Sequence, residues 1–220
     1  VADSANHRVQ VFSCDDDGGS FVSKFEPRNP PLRISDVAID HDHDRILVTD
    51  TKHCQVQAWQ LDGHCELKRP ISSTQNNWNC PVPSGVAIDR HHQRVVVTNI
   101  STHKLTFMNL SDLSFLFEIG EYGQQHCEFD CPQALAIDDD RHRIIVSDSD
   151  NHRVQVLSSI DGSFLFEFGS KGDQQGQFNC PVGVCVDNQG RIIVADCYNH
   201  RLQSYTHEGH HISSFDCGSE

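Results

Sequence analysis

The sequence predicts an all-β chain, a β-propeller of four-stranded antiparallel blades. Three observations carry that expectation. A unit recurs at a fixed period, marked by Asp40, Asp89, Asp138 and Asp187, each 49 residues after the last. Each unit holds short apolar segments rich in Val, Ile and Phe, which is strand composition. The second segment is an unbroken apolar run, as in Ile144-Ile145-Val146, and such a run asks for burial on both faces. Sheets stacked face to face around an axis supply that burial, and four strands per unit at this period is a propeller signature.

The elements follow in chain order. First strands end in DVAID, GVAID, ALAID and GVCVD, at the four aspartates named above. Second strands are RILVTD at 45–50, RVVVTN at 94–99, RIIVSD at 143–148 and RIIVAD at 191–196, and the opening VAD is the tail of a fifth. Third strands are NHRVQVF at 6–12, HCQVQAW at 53–59, HKLTFM at 103–108, NHRVQVL at 151–157 and NHRLQSY at 199–205. Fourth strands are FVSKF at 21–25, FLFEIG at 115–120, FLFEFG at 164–169 and HISSF at 211–215, with the weaker CELKR at 65–69. Gly18-Gly19, Asp62-Gly63, Asp161-Gly162 and Glu208-Gly209 separate third from fourth strands; glycine there accommodates the positive φ of a tight hairpin. No segment has a 3.6-residue apolar period, so no helix beyond a stray turn is expected.

The chain reads as one propeller domain with units at 1–27, 28–71, 72–121, 122–172 and 173–220. The first unit is partial. Four complete blades plus one partial blade predict a fragment of a five- or six-bladed ring.

Composition narrows the function. The formal net charge is −14, from 31 Asp+Glu against 17 Lys+Arg, which disfavours non-specific nucleic-acid binding. No run of about 18 apolar residues is present, so no membrane span is expected. Ten cysteines in 220 residues fall below the ~8–10% of small disulfide scaffolds. Most read as reduced, half-buried thiols in a cytoplasmic protein. The chain starts at Val1 without a Met, so a missing N-terminal portion is expected and the lack of a signal peptide says little.

Several patterns invite chemistry, and a structural reading fits each better. His7, His53, His103, His152 and His200 recur once per blade, so they spread around a ring beyond the ~2 Å reach of one ion. His41, His43, His91, His92 and His142 sit in solvated turns between first and second strands. The four repeat aspartates surround one end of the channel, where a Ca²⁺ ring competes with the commoner role of accepting turn N–H groups. Arg8, Arg153 and Arg201 follow Asp3, Asp148 and Asp196 by five residues, which predicts an ion pair tying two strands. Lys104 follows Asn99 in the same way, and Asp50 meets Gln55 and breaks the rule. Cys80, Cys131 and Cys180, each before a proline, read as one position per blade and too far apart to pair. Trp78, Phe129 and Phe178 before them read as plugs between blades. CEFDC at 127–131 lacks partners for zinc, and 169–176 lacks a phosphate-loop GKS/T. NIS at Asn99 and NLS at Asn109 match glycosylation acceptors by chance. No metal, cofactor or catalytic residue is assigned.

The repeat resembles the NHL family: a Pro, GVAVD, RIIVAD, NHRVQVF, a DG turn and a Phe-rich strand ending in Gly. The match is close over residues 125–218 and degenerate but in register before them. The resemblance implies a binding module like the propellers of tripartite-motif NHL proteins, which sit behind RING, B-box and coiled-coil parts. Such propellers select substrates for ubiquitin transfer or bind RNA. It also admits a secreted amidating lyase that uses zinc and calcium, which the cysteine pattern disfavours. The expected function is non-catalytic recognition of a protein partner or ubiquitination substrate, with RNA as the alternative. The loops entering third strands and the blade linkers vary and share one face. Lys52, His53, Trp78, Ser101, Thr102, Asp150, Asn151, Tyr198 and Asn199 are the predicted contact residues there, with Tyr198 and Trp78 as aromatic anchors.

Overall fold

The computed structural model describes residues 1–13, 19–25, 32–71 and 80–218. The chain is an all-β propeller of five blades, each an antiparallel sheet. Blade 1 holds β1 (Ala2–Asp3), β2 (Arg8–Phe12) and β3 (Phe21–Phe25). Blade 2 holds β4 (Ile34–Asp40), β5 (Arg45–Asp50), β6 (Gln55–Gln60) and β7 (Cys65–Pro70). Blade 3 holds β8 (Pro83–Asp89), β9 (Arg94–Asn99), β10 (Lys104–Asn109) and β11 (Phe115–Ile119). Blade 4 holds β12 (Pro132–Asp138), β13 (Arg143–Asp148), β14 (Arg153–Ser158) and β15 (Phe164–Phe168). Blade 5 holds β16 (Pro181–Val186), β17 (Ile192–Asp196), β18 (Arg201–Tyr205) and β19 (His211–Asp216). The sequence reading counted four units and part of a fifth. The opening unit instead forms a blade of its own, three-stranded among the described residues.

Strands pair in sequence order within each blade, and first strands of neighbouring blades stack around the channel, β4 on β8, β8 on β12 and β12 on β16. The hairpin glycines Gly63, Gly162 and Gly209 all take positive φ, as the turn chemistry requires. The weak segment at 65–69 is a full fourth strand, β7.

Second strands are buried on both faces, and alternate residues feed different cores. Val95 and Val97 join the cluster shared with blade 2, while Val96 joins the cluster shared with blade 4. Ile144 and Val146 face blade 3, and Ile145 faces blade 5. Each such side chain contributes about 1.5–3 kcal/mol on burial. Phe129 and Phe178 are fully buried plugs, as expected; Trp78 lies outside the described residues. Blade 5 has one covered face. Leu202, the counterpart of the fully buried Val154, is 38% exposed, and Phe215 on the same face is 59% exposed.

Candidate functional site: the loop face

Turns between second and third strands open on one end of the propeller, together with the linkers that join blades. Each turn closes on a residue in the left-handed region, at φ 52–58°: His7, Cys54, His103, His152 and His200. His53 stands at the adjacent position: Cys54 lies four residues after the end of its second strand, as the four histidines do, and His53 sits 2.6 Å from Asp50 through Nδ1.

The NHR segment is consumed by the linker of its own blade. In blade 4, Arg153 pairs with Asp148 at 2.8 Å and donates to the carbonyls of Gln124, Gln125 and Glu128. Asn151 donates to Gly123 O at 2.8 Å, and Gln155 donates to Glu128 O at 2.7 Å. Blade 5 repeats the set: Arg201 pairs with Asp196 and donates to Asp173, Gln174 and Gln177, while Asn199 holds Gly172 O. The predicted ion pairs Asp3–Arg8, Asp148–Arg153 and Asp196–Arg201 are all present. In blade 3, Lys104 departs from the rule and pairs with Glu118 at 3.0 Å.

Among the described cysteines seven are free thiols, as expected of most, and two are joined. Cys54 and Cys80 form a disulfide with Cα atoms 6.2 Å apart. Cys80 is also not the counterpart of Cys131 and Cys180. Pro83 pairs with Asn99 as Pro132 pairs with Asp148 and Pro181 with Asp196, so Val82 holds the position of those two cysteines. The Cys80-Pro81 dipeptide therefore lies two residues out of register with Cys131-Pro132 and Cys180-Pro181. Cys131 and Cys180 donate their backbone N–H groups to Nδ1 of His103 and His152, at 3.1 Å each. Burial, reinforced by Asp150, pushes the Cys131 thiol up to about 11 and raises Cys180 as well. Both stay protonated at neutral pH and are poor nucleophiles.

On the opposite end, the repeat aspartates cap the turns after first strands. Asp89, Asp138 and Asp187 accept N–H groups of His92, Arg141 and Gln189. Burial alone would raise the Asp40 carboxyl, but hydrogen bonds from Arg45 and His43 outweigh it and hold the group low. The arginines that open second strands also reach across to the next blade. Arg45 donates to Leu110 O, Arg94 to Ser159 O and Arg143 to His207 O. His91 and His142 meet edge to face, with ring centroids 4.7 Å apart. No group of three or more His, Cys, Asp or Glu among the described residues could hold a metal.

Of the predicted contact residues, Lys52, Asp150 and Tyr198 project freely, and Tyr198 is 65% exposed. Asn151 and Asn199 are tied to linkers. Ser101 accepts from Val82 N and donates to Cys80 O, at 3.0 Å each. Thr102 N donates to Asn99. Sequence reasoning missed Tyr122, 68% exposed on the linker into blade 4 and edge-on to His103 at 4.9 Å. Its signal was the linker register, since Tyr122 bridges Phe129 as Lys171 bridges Phe178.

Two cavities follow the channel. One of about 610 Å³ opens at the mouth on the loop face, between blades 1, 2 and 3. A second, of about 340 Å³, lies deeper among first strands. Burial raises the Asp36 carboxyl there, although it accepts N–H groups of Val86 and Val37.

Solved structures resemble the chain at fold level. Virginiamycin B lyase from Staphylococcus aureus superposes with TM-score 0.67 and 13% identity, over 94% of this chain and 62% of that one. Its catalytically inactive variant with quinupristin gives TM-score 0.70 and 13% identity, over 99% and 65%. The nidogen/laminin complex gives TM-score 0.70 and 13% identity, over 97% and 77%. The chain thus spans under two thirds of the length of the lyases it resembles. No curated protein sequence matches it. Among the described residues no helix is long and apolar enough to cross a membrane. The NHL repeat family matches at residues 129–157 and 178–205, over the two blades in which NHR holds its linker. The chain thus carries two segments that match the NHL repeat within a five-bladed β-propeller.

Proposed function

We propose that the chain is a non-catalytic recognition module that binds a protein partner through its loop face. The observation that carries this reading is the contrast on that face between a fixed frame and free aromatic side chains. The linkers are held by buried or half-buried Arg, Asn and Gln, whereas Tyr122 and Tyr198 stand 68% and 65% exposed. Rigid aromatics on a preorganised surface are the usual anchors of protein interfaces. A finer reading is substrate selection for a ubiquitin ligase of the tripartite-motif NHL type, acting in the cytoplasm. The Cys54–Cys80 disulfide weighs against the cytoplasm, because such bonds persist mainly in oxidising compartments.

Proximity labelling followed by binding to the purified chain tests the reading. Tyr122→Ala combined with Tyr198→Ala should weaken a captured partner about a hundredfold with an unchanged melting temperature. Full retention of binding would move the site off this face. The ligase reading adds that the partner is ubiquitinated by the full-length protein only when the face is intact. The net charge of −14 makes RNA the lesser reading, and polarisation with single-stranded RNA at low salt decides it.

A further inference from the structure

The junctions between blades use one repeated arrangement, and a single junction breaks it open. At the left-handed position stands a histidine, and just before the next first strand stands its partner. His103 meets Cys131 and His152 meets Cys180, each through an N–H to Nδ1 bond of 3.1 Å. Between blades 2 and 3 the histidine position holds Cys54, which is bonded to Cys80. Between blades 1 and 2 the pair is His7 and Arg33. There the Arg33 backbone N–H turns to Asp50 Oδ1 at 3.2 Å. Neither the His7 ring nor the Arg33 guanidinium makes a hydrogen bond or ion pair with a described residue.

Both residues line the cavity of about 610 Å³ at the channel mouth, a size suited to a small ligand group. Its lining combines apolar Ile34, Val82, Pro83 and Ile100 with neutral polar side chains. Ser35 Oγ lies 3.4 Å from Ser84 Oγ, which donates to Gln133 Oε1 at 3.3 Å. Arg33 lines the same cavity as the hydroxyls of Ser35, Thr51 and Ser84, and in a chain of net charge −14 it selects a single compact anion. A polyanion would be repelled by the surrounding field before reaching it. The planar fork of Arg33 matches the two oxygens of a carboxylate.

We propose that this pocket binds a carboxylate, presented by an acidic side chain on a loop of a protein partner. The proposal rests on the loop-face reading and names its central contact. A loop that is otherwise neutral or basic fits the charge of the chain, because complementary potentials steer such a partner in.

The test is a titration of the isotope-labelled chain, followed by NMR, with N-acetylglutamate, N-acetylglutamine and inorganic phosphate. Saturable shifts at the Arg33 side chain and at the Ser35, Thr51 and Ser84 amides are expected with N-acetylglutamate only. Arg33→Gln should weaken that binding at least tenfold while leaving the remaining spectrum in place, and Arg33→Lys should retain part of it. Equal shifts with N-acetylglutamine, tighter binding of phosphate, or full binding by Arg33→Gln would overturn the proposal. A protein partner lost on Tyr122→Ala with Tyr198→Ala but indifferent to Arg33→Gln would sink the pocket and keep the loop face. A partner indifferent to both sets would sink both.

Discussion

Blades 4 and 5 differ from blades 2 and 3 in how the same junction is held. Blades 4 and 5 keep the full NHR segment, and one arginine in each gathers an aspartate and three linker carbonyls. In blade 2 the arginine is Gln55, whose amide reaches Asp50 at 3.2 Å among the described residues. In blade 3 it is Lys104, committed to Glu118. Between these two blades the Cys54–Cys80 bond stands where the later junctions carry a histidine-to-backbone hydrogen bond. The comparison teaches that the repeat specifies backbone positions to be fastened, some by a guanidinium hub and one by a covalent link. The two solutions act differently. The hub satisfies buried polar groups in the folded state, whereas the disulfide restricts mainly the unfolded chain.

The sharpest way to break the comparison is Arg153→Met. It leaves Asp148 and three carbonyls short of their donor, and a buried pair broken on one side costs about 3–5 kcal/mol. Urea denaturation should show that loss, while Gln55→Met in blade 2 costs about 1 kcal/mol. Equal costs at both sites would erase the distinction between the blade pairs.

Next in size is the covalent link. Cys54→Ser with Cys80→Ser opens a loop with a sequence separation of 26, worth roughly 3–4 kcal/mol in the chain-entropy description. A reducing agent should lower the melting temperature of the natural chain by the same amount and leave the double variant unmoved. If the reductant affects neither, the two cysteines are not joined in solution.

A smaller effect separates the two ends of β4 by pH. The Asp40 carboxyl is held below its unfolded value by Arg45 and His43. Its contribution is therefore present above the unfolded pKa of ~3.9 and is lost as pH falls through the lower folded value. Asp36 is raised by burial, so its ionisation destabilises the fold as pH rises past ~3.9. Denaturation at pH 7 and pH 3 should show Asp40→Asn costing more at pH 7. Smallest of all, Tyr122→Ala and Tyr198→Ala should each change stability by less than about 0.5 kcal/mol, as exposed sites do.

Much of the frame was legible because it is written within each repeat. The period gave the blades, unbroken apolar runs gave the double-faced second strands, and the five-residue offset from Asp to Arg gave the ion pairs. Contacts between blades were not legible in the same way. Arg45, Arg94 and Arg143 recur at the 49-residue period, but their cross-blade acceptors lie 64–66 residues on and depend on how one sheet turns against the next. The disulfide was hidden because Cys80-Pro81 imitates Cys131-Pro132, two residues out of register. On the loop face, Tyr198 could be picked by residue type. Asn151 and Asn199 looked equally available, and only the geometry shows their amides spent on Gly123 and Gly172.

The guanidinium hub also sets a timetable for synthesis. Arg153 lies 25–29 residues downstream of the carbonyls it gathers, and Arg201 lies 24–28 downstream of its own. A chain emerging from the ribosome N-terminus first therefore releases each linker before the residue that fastens it. At about 5–20 residues per second the wait is roughly one to six seconds. During that interval Phe129, later a buried plug, is without β14 beside it. Each new blade fastens the segment that led into it, so assembly proceeds by closing the door just passed.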